Sequence, residues 1–536
     1  MKRNKLTNAG IFRVTALFVA MVFVTNPSYA ATKPNIVLMM ADNLGYGDLG
    51  VYGGGENRGM PTPNIDQLAN EGLRFDQFLV EQNCTPTRTA TMTGRYAIRS
   101  MLSKSSMRGS EITLAEKLKE IGYTTAAYGK WHLGWNDDDK EQQPQEQGFD
   151  EFYGIKDSTN VVSRPSSMRE QGVEPEKKPA EDQRIYELQE GKLVPVDVYN
   201  EETRRTIDVE IANRAVKYII THANRVKPFF LYVPWTRVHS PNYTSEEFVG
   251  KSRIGPYGDS VMELDHNTGR VLEALKNRKI ENDTIVIWMS DNGPMRTSVW
   301  PDGGFQGPYR GDIGSPHEGA IRTAGMIKWP GHIEPMVMHE MFSAMDFYPT
   351  LAKIVGFKVP IDRPIDGIDQ SDFILNNKPP TIKDEQTPPR EHLLTFINTQ
   401  LVAIRWKQFR IYFNNFLPQE GFKAIEGSSS MSVPNLNPII YNIENDPREV
   451  VNTLFLNSWV LGKAMPYVGK YVKSLEKHPN PFIISPNMLP QYIFWADSLN
   501  KVLKDSDVEK LTKKELLKEK VREIVKGIDE VIVDGE

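Results

Sequence analysis

The sequence predicts an α/β fold: a large, mostly parallel or mixed sheet flanked by helices, with a smaller C-terminal α+β domain containing an antiparallel sheet. Three observations carry this. Short, continuous apolar runs, which suit strands buried on both faces, alternate with segments of helical pattern. Four of these runs deliver a polar residue at or beyond their carboxyl ends, namely Asp42, Lys130, His239 and Asp291, and ligands of open α/β sheets bind at that edge. Toward the C-terminus the pattern changes to strand-like alternation. At 536 residues the chain exceeds the size at which a single core stops growing, so a large and a smaller domain are expected.

Residues 1–30 stand apart from the fold. Lys2, Arg3, Lys5 and Arg13 precede an apolar run from Val14 to Val24, and Ser28-Tyr29-Ala30 supplies small residues for cleavage, the pattern of a signal peptide. The run is about eleven residues, short of the roughly 20 that span a bilayer, so no transmembrane anchor is expected. The one cysteine permits no disulfide within the chain. A mature, periplasmic or secreted chain from about Ala31 follows, with a catalytic domain over 31–380, a smaller domain over 390–500 and a charged helical tail over 501–536.

Taken in order, Asn35 to Ala41 reads as the first buried strand. Asn64 to Gly72 reads as a short helix with Asn64 as N-cap. Thr113 and Glu116 form a capping box for a helix that Gly122 closes, and Tyr123 to Tyr128 is a strand ending at Gly129-Lys130-Trp131-His132. The polar stretch from Ile155 to Tyr199 is expected to be loops and short hairpins. A helix over about 202–221 leads to the strand Pro228–Trp235, with His239 just beyond. A helix from Tyr257 to Lys276 precedes the strand Asp283–Ser290, which ends at Asp291-Asn292-Gly293. The Pro-rich region from Asn376 to Pro389 is a linker. Leu401 to Phe413 alternates in strand fashion, and the Lys/Glu-rich tail from Asp505 to Ile532 reads as a solvated helix.

The formal charge of −5, with 39% hydrophobic and 25% charged residues, is that of an ordinary soluble protein and gives no reason to expect nucleic acid. Anion binding must come from local clusters.

The lone Cys84 would ordinarily be a small buried hydrophobe. Its neighbourhood, Cys84-Thr85-Pro86-Thr87-Arg88 followed by Thr93-Gly94-Arg95, resembles the C-x-P-x-R signature of the type I, formylglycine-dependent sulfatases of the alkaline phosphatase superfamily. Other segments match in order: Asp42-Asn43 through Asp48, Gly129-Lys130-Trp131-His132-Leu133-Gly134, His239-Ser240-Pro241, and Ser290-Asp291-Asn292-Gly293. The resemblance implies an alkaline phosphatase-like fold and a sulfuric ester hydrolase. It further implies that a formylglycine-generating enzyme oxidises Cys84, and that a divalent metal is held by Asp42, Asn43, the modified Cys84, Asp291 and Asn292; the oxygen donors of that implied set favour Ca²⁺ over Zn²⁺, with Mg²⁺ second because it keeps more waters.

In the implied mechanism the aldehyde hydrates to a gem-diol, and one hydroxyl, with Asp291 as base, attacks sulfur. His239 protonates the departing oxygen, His132 opens the sulfated diol, and Arg88 and Lys130 hold anionic oxygens. Three departures stand out. Asn43 replaces a carboxylate, Thr87 replaces the commoner Ser or Ala, and Ile313 occupies the position of a lysine five residues before Glu318. Arg310 or His317 is expected to supply the lost sulfate contact. The substrate is expected to be a sulfated poly- or oligosaccharide or an aryl sulfate, selected by the loops Trp135–Asp139, Ile155–Tyr199 and Trp300–Tyr309. Two further readings stay open at this point: a phosphate or phosphonate monoester hydrolase, and a sulfated-glycan binding protein that has lost catalysis.

Overall fold

The apolar runs assemble in the middle of one eleven-stranded mixed sheet. The computed structural model describes residues 33–103, 106–135, 140–159, 183–295, 303–376, 389–397, 399–416 and 432–481. Four strands lie side by side in the order Thr284–Ser290, Asn35–Ala41, Phe229–Pro234 and Thr124–Lys130, all parallel. Their carboxyl ends therefore share one edge of the sheet. Along these strands alternate residues enter two different cores. Ile36, Leu38, Met40, Ile285, Ile287 and Met289 pack on one face, and Val37, Met39, Ala41, Val286 and Trp288 on the other. Both faces are covered, which is why the sequence runs apolar without alternation. Each such side chain contributes about 1.5–3 kcal/mol by leaving water.

The flanks complete the sheet. On one side Gly325–Lys328 pairs antiparallel with Thr284–Ser290, and Leu73–Leu79 lies next to it. On the other side Glu151–Ile155 is followed by the hairpin of Arg184–Gln189 and Lys192–Val198. The polar excursion thus supplies the outermost strands on that side. Helices Glu201–His222 and Pro256–Asn277 match the expected spans within one residue at each end. The capping box of Thr113 and Glu116 starts the helix Leu114–Glu120 as predicted.

One cap is a correction. The helix near 64 runs Pro63–Asn70 with Thr62 at the N-cap position and Pro63 in its first turn. Asn64 is drawn instead to Asp265, whose carboxylate accepts its Nδ2 at 2.7 Å. A proline with preset φ opens the helix two residues earlier than the asparagine signal indicates.

The second sheet has four antiparallel strands, His392–Ile397, Gln400–Trp406, Phe409–Phe416 and Ser432–Asn442. The alternating pattern of 401–413 is its central hairpin. The helix Trp459–Ser474 covers it, sharing a core of Ile404, Ile411, Ile440, Val460 and Val468 with Leu79 and Ala90. Most of the linker, the signal-like segment 1–30, the tail 505–532 and parts of the three specificity loops lie outside the described residues.

Candidate active site

Cys84 opens the helix Cys84–Thr93, which sequence reading left unassigned because its face is threonine rather than leucine. Asn83 caps it, its Oδ1 accepting the Cys84 N–H at 2.8 Å, and Gly94 closes it at φ 68°. Thr87 supplies a hydroxyl, as the commoner Ser would and Ala would not. Its hydroxyl accepts the Glu81 N–H at 3.0 Å and donates to the Glu81 carbonyl at 3.1 Å, fixing the approach to Cys84. The Cys84 Sγ is buried and lies 3.4 Å from Asp42 Oδ1 and 3.5 Å from Asn43 Oδ1. Burial, then the Asp291 carboxylate, pushes the thiol well above its ordinary range. The unmodified thiol is a poor nucleophile here, since the thiolate is the reactive form.

The strand-end residues converge on this sulfur. Asn43, at φ 62°, donates its N–H to Asp291 Oδ1 at 3.0 Å, and its Oδ1 accepts Asn292 Nδ2 at 2.7 Å. Arg88 places Nε and Nη2 at 3.1 and 2.8 Å from Asp291 Oδ2 and donates Nη1 to the Lys130 carbonyl at 3.0 Å. Lys130 Nζ meets Asp42 Oδ2 at 2.8 Å. Two carboxylates face two cations, and all four side chains are wholly buried.

The donor set fits a hard cation. Asp42 and Asn43 turn side-chain oxygens to the Cys84 sulfur, Asn43 also contacts Asp291 and Asn292, and Asn292 Oδ1 is buried with no hydrogen-bond partner among the described residues. Ligand atoms of Asp42, Cys84 and His239 also lie within 4.8 Å of one another.

The two histidines are held differently. His132 sits at φ 52°, and its Nδ1 is buried without a hydrogen-bond partner among the described residues. His239 Nδ1 is 2.6 Å from the Ser240 carbonyl, so that nitrogen carries the hydrogen. Its Nε2 faces the Ser158 hydroxyl at 3.1 Å. Burial and then Lys130 lower the pKa of both rings well below the usual histidine value. Sequence reading missed Ser158, which lies in a polar stretch without periodicity.

Arg310 and His317 face the small sheet. Arg310 Nη1 donates to the Glu449 carbonyl at 3.1 Å, and His317 Nδ1 lies 3.1 Å from the Tyr412 hydroxyl and 3.3 Å from Glu449 Oε2. Their segment nevertheless borders the site. Gly314 N–H donates to the Gln82 carbonyl at 2.7 Å and Ile313 N–H to the Pro294 carbonyl at 3.1 Å, with Ile313 itself buried. Glu318 pairs with Arg405 and lies 3.7 Å from Arg322, tying this segment to the second sheet.

Comparison with known proteins places the chain in a family. Residues 34–357 match the sulfatase family model. Arylsulfatase A of Bos taurus is 33% identical over 456 residues, covering 79% of this chain and 84% of that protein. N-acetylgalactosamine-6-sulfatase of Rattus norvegicus is 32% identical over 457 residues, covering 78% and 81%. Among solved structures, the PsFucS1 sulfatase from Pseudoalteromonas sp. superposes with a TM-score of 0.72 at 29% identity, covering 84% of this chain and 91% of that one.

Proposed function

We propose, from the premise that this chain belongs to the sulfatase family and is a sulfuric ester hydrolase, that it is an exported enzyme acting through formylglycine at position 84 on sulfated poly- or oligosaccharides. The observation that carries the nucleophile is the placement of the Cys84 Sγ 3.4 and 3.5 Å from the Asp42 and Asn43 oxygens, at the head of a helix. A helix N-terminus and a cation on those oxygens both favour negative charge at that atom. When formed by the maturing enzyme, the aldehyde supplies, as its hydrate, a hydroxyl in place of the inert thiol.

Around it the residues of this chain take separate tasks. Asp42, Asn43, Asp291 and Asn292, with the modified residue 84, would hold the cation, for which Ca²⁺ is the first choice. Bound there, it supplies positive charge to the nucleophile and to the sulfate oxygens. Asp291 accepts a proton from the nucleophile. Arg88 and Lys130, already oriented by the carboxylates, meet the sulfate oxygens. His239 donates to the leaving oxygen through Nε2. Its low proton affinity makes the imidazolium a strong acid, and the charge of an incoming sulfate offsets Lys130. His132, whose Nδ1 has no hydrogen-bond partner among the described residues, takes the proton whose removal releases sulfate. Arg310 or His317 makes the contact that Ile313 lacks.

A relative named for N-acetylgalactosamine 6-sulfate supports the sugar substrate. Export is supported by the segment 1–30, and among the described residues no helix is long and apolar enough to cross a membrane.

The test is mass spectrometry of the peptide Phe75–Arg95 from natively exported protein, alongside release of sulfate from 4-nitrophenyl sulfate. An active preparation carries the aldehyde mass, and Cys84→Ala loses turnover by at least about a hundredfold. A fully active sample with only thiol at position 84 ends the proposal.

A further inference from the structure

The loop that carries His239 is held by four charged side chains that take no part in the chemistry described above. Arg204 and Asp208 lie one turn apart on the helix Glu201–His222, Arg237 is in the loop itself and Glu263 is on the helix Pro256–Asn277. All four are buried to within 1% exposure. Arg204 Nη2 donates to the His239 carbonyl at 3.0 Å and to the Thr236 carbonyl at 3.2 Å, while Nη1 meets the Thr236 hydroxyl at 2.6 Å. Asp208 Oδ1 accepts the Thr236 N–H at 2.9 Å. Arg237 spans Glu263 at 2.8 Å and Asp208 at 3.3 Å, and donates to the Arg204 and Arg205 carbonyls at 3.2 and 3.1 Å.

Two positive and two negative charges removed from water contribute little net stability, because desolvation consumes the Coulombic gain. Their value here is geometric. Beyond Pro234 the backbone is not in a strand, so its buried carbonyls need donors from elsewhere. Arg204 answers two of them with one rigid fork. The same loop grips the first metal segment: Asp42 N–H donates to the Arg237 carbonyl and Val238 N–H to the Asp42 carbonyl, both at 2.8 Å. Moving the loop moves His239 relative to Asp42 and Cys84.

We infer that Arg204 is a positioning residue that, through the His239 carbonyl, holds the imidazole where it delivers its proton to the leaving oxygen. This rests on the reading of His239 as that proton donor. The proton passes from Nε2 to the ester oxygen as its bond to sulfur breaks, while the attacking hydroxyl at position 84, its own proton taken by Asp291, forms the new bond to sulfur. A misplacement of about 1 Å in such a group costs about a hundredfold. The loss falls on substrates that need the proton. A 4-nitrophenolate leaves without help, whereas an alkyl or sugar alkoxide does not.

The experiment compares kcat/KM for a series of aryl and alkyl sulfates of rising leaving-group pKa in the parent, His239→Gln, Arg204→Met and Arg204→Lys, each checked for folding by circular dichroism and thermal unfolding. His239→Gln should steepen the dependence on leaving-group pKa. Arg204→Met should steepen it too, losing about a hundredfold on the poorest leaving groups and far less on 4-nitrophenyl sulfate, with Arg204→Lys between it and the parent. If His239→Gln leaves the slope unchanged, the reading of His239 fails and the inference with it. If His239→Gln steepens the slope but the Arg204 variants lower every substrate equally, or none, the positioning role alone is wrong. Failure of both Arg204 variants to fold would assign the residue to stability and also overturn it.

Discussion

Glu81 is a buried carboxyl three residues before the nucleophile position, with one backbone donor, the Ala97 N–H at 3.2 Å, and no cation paired with it among the described residues. Burial, reinforced by the nearby Asp366 carboxylate, pushes its pKa from 4.5 up to about 7. The folded pKa lies above the unfolded one, so between those values the folded protein keeps a proton that the unfolded chain releases. The contribution to stability is full below about 4.5 and is lost as pH rises through about 7, a loss of roughly 3 kcal/mol. Glu81→Gln keeps the neutral shape without the titration. It should unfold at higher urea concentration than the parent at pH 8 and show no such gain at pH 4.5; an equal gain at both would contradict the assignment. This residue was not legible in the sequence, where a glutamate after a strand resembles an ordinary surface group. Asp42, Lys130, His239 and Asp291 were legible because each follows an apolar run, and the parallel sheet brings those run ends together. Ser158 and Arg204 act by contacts across more than 30 residues, or in a stretch without pattern, and only the fold shows them.

Among the elements, the strand that presents Lys130 depends on two glycines in register. Gly129 and Gly154 are partners in the parallel pair of Thr124–Lys130 and Glu151–Ile155, at φ 141° and 155°. A Cβ on Gly129 would stand 1.9 Å from the Pro234 carbonyl oxygen, and one on Gly154 1.8 Å from that of Gly129. Neither neighbour can yield without moving a central strand. Gly129→Ala should therefore cost more than the about 1–3 kcal/mol of ordinary overpacking and lower turnover by displacing Lys130. Gly356 at φ 84° has nothing within 4 Å, so Gly356→Ala carries only the backbone penalty of about 1–2 kcal/mol and serves as the comparison in thermal unfolding and activity. Equal effects of the two would remove the steric argument. The strands themselves were readable because burial on both faces leaves an unbroken apolar run. The helix at Cys84 and the helix Trp459–Ser474, which contains Pro466, were not, since threonines and an internal proline argue locally against a helix that tertiary packing then imposes.

Across the whole molecule, Glu449, just beyond the last strand of the small sheet, ties that sheet to the segment 310–318. Its Oε1 accepts the Glu318 N–H at 2.9 Å, its Oε2 receives the Tyr412 hydroxyl and lies 3.3 Å from His317 Nδ1, and its carbonyl takes Arg310 at 3.1 Å. One residue from the turn region after the last strand of the small sheet thus braces both groups proposed to replace the absent lysine, on a segment that reaches Gln82 and Pro294 beside the nucleophile. His317 turns Nδ1 to Glu449, so a contact with sulfate would have to come from its other nitrogen, Nε2. If that contact is made, His317→Ala removes a hydrogen bond to a charged group, about 1.5–3 kcal/mol, and raises KM for a sulfate ester about tenfold or more. Glu449→Gln should raise it as well, because the ring is no longer held. The two changes act on one contact, so the double variant should be little worse than His317→Ala alone. Steady-state kinetics of the four proteins decides the matter. Additive effects on KM, or an unchanged KM in His317→Ala, would mean that the small sheet braces the fold without reaching the sulfate.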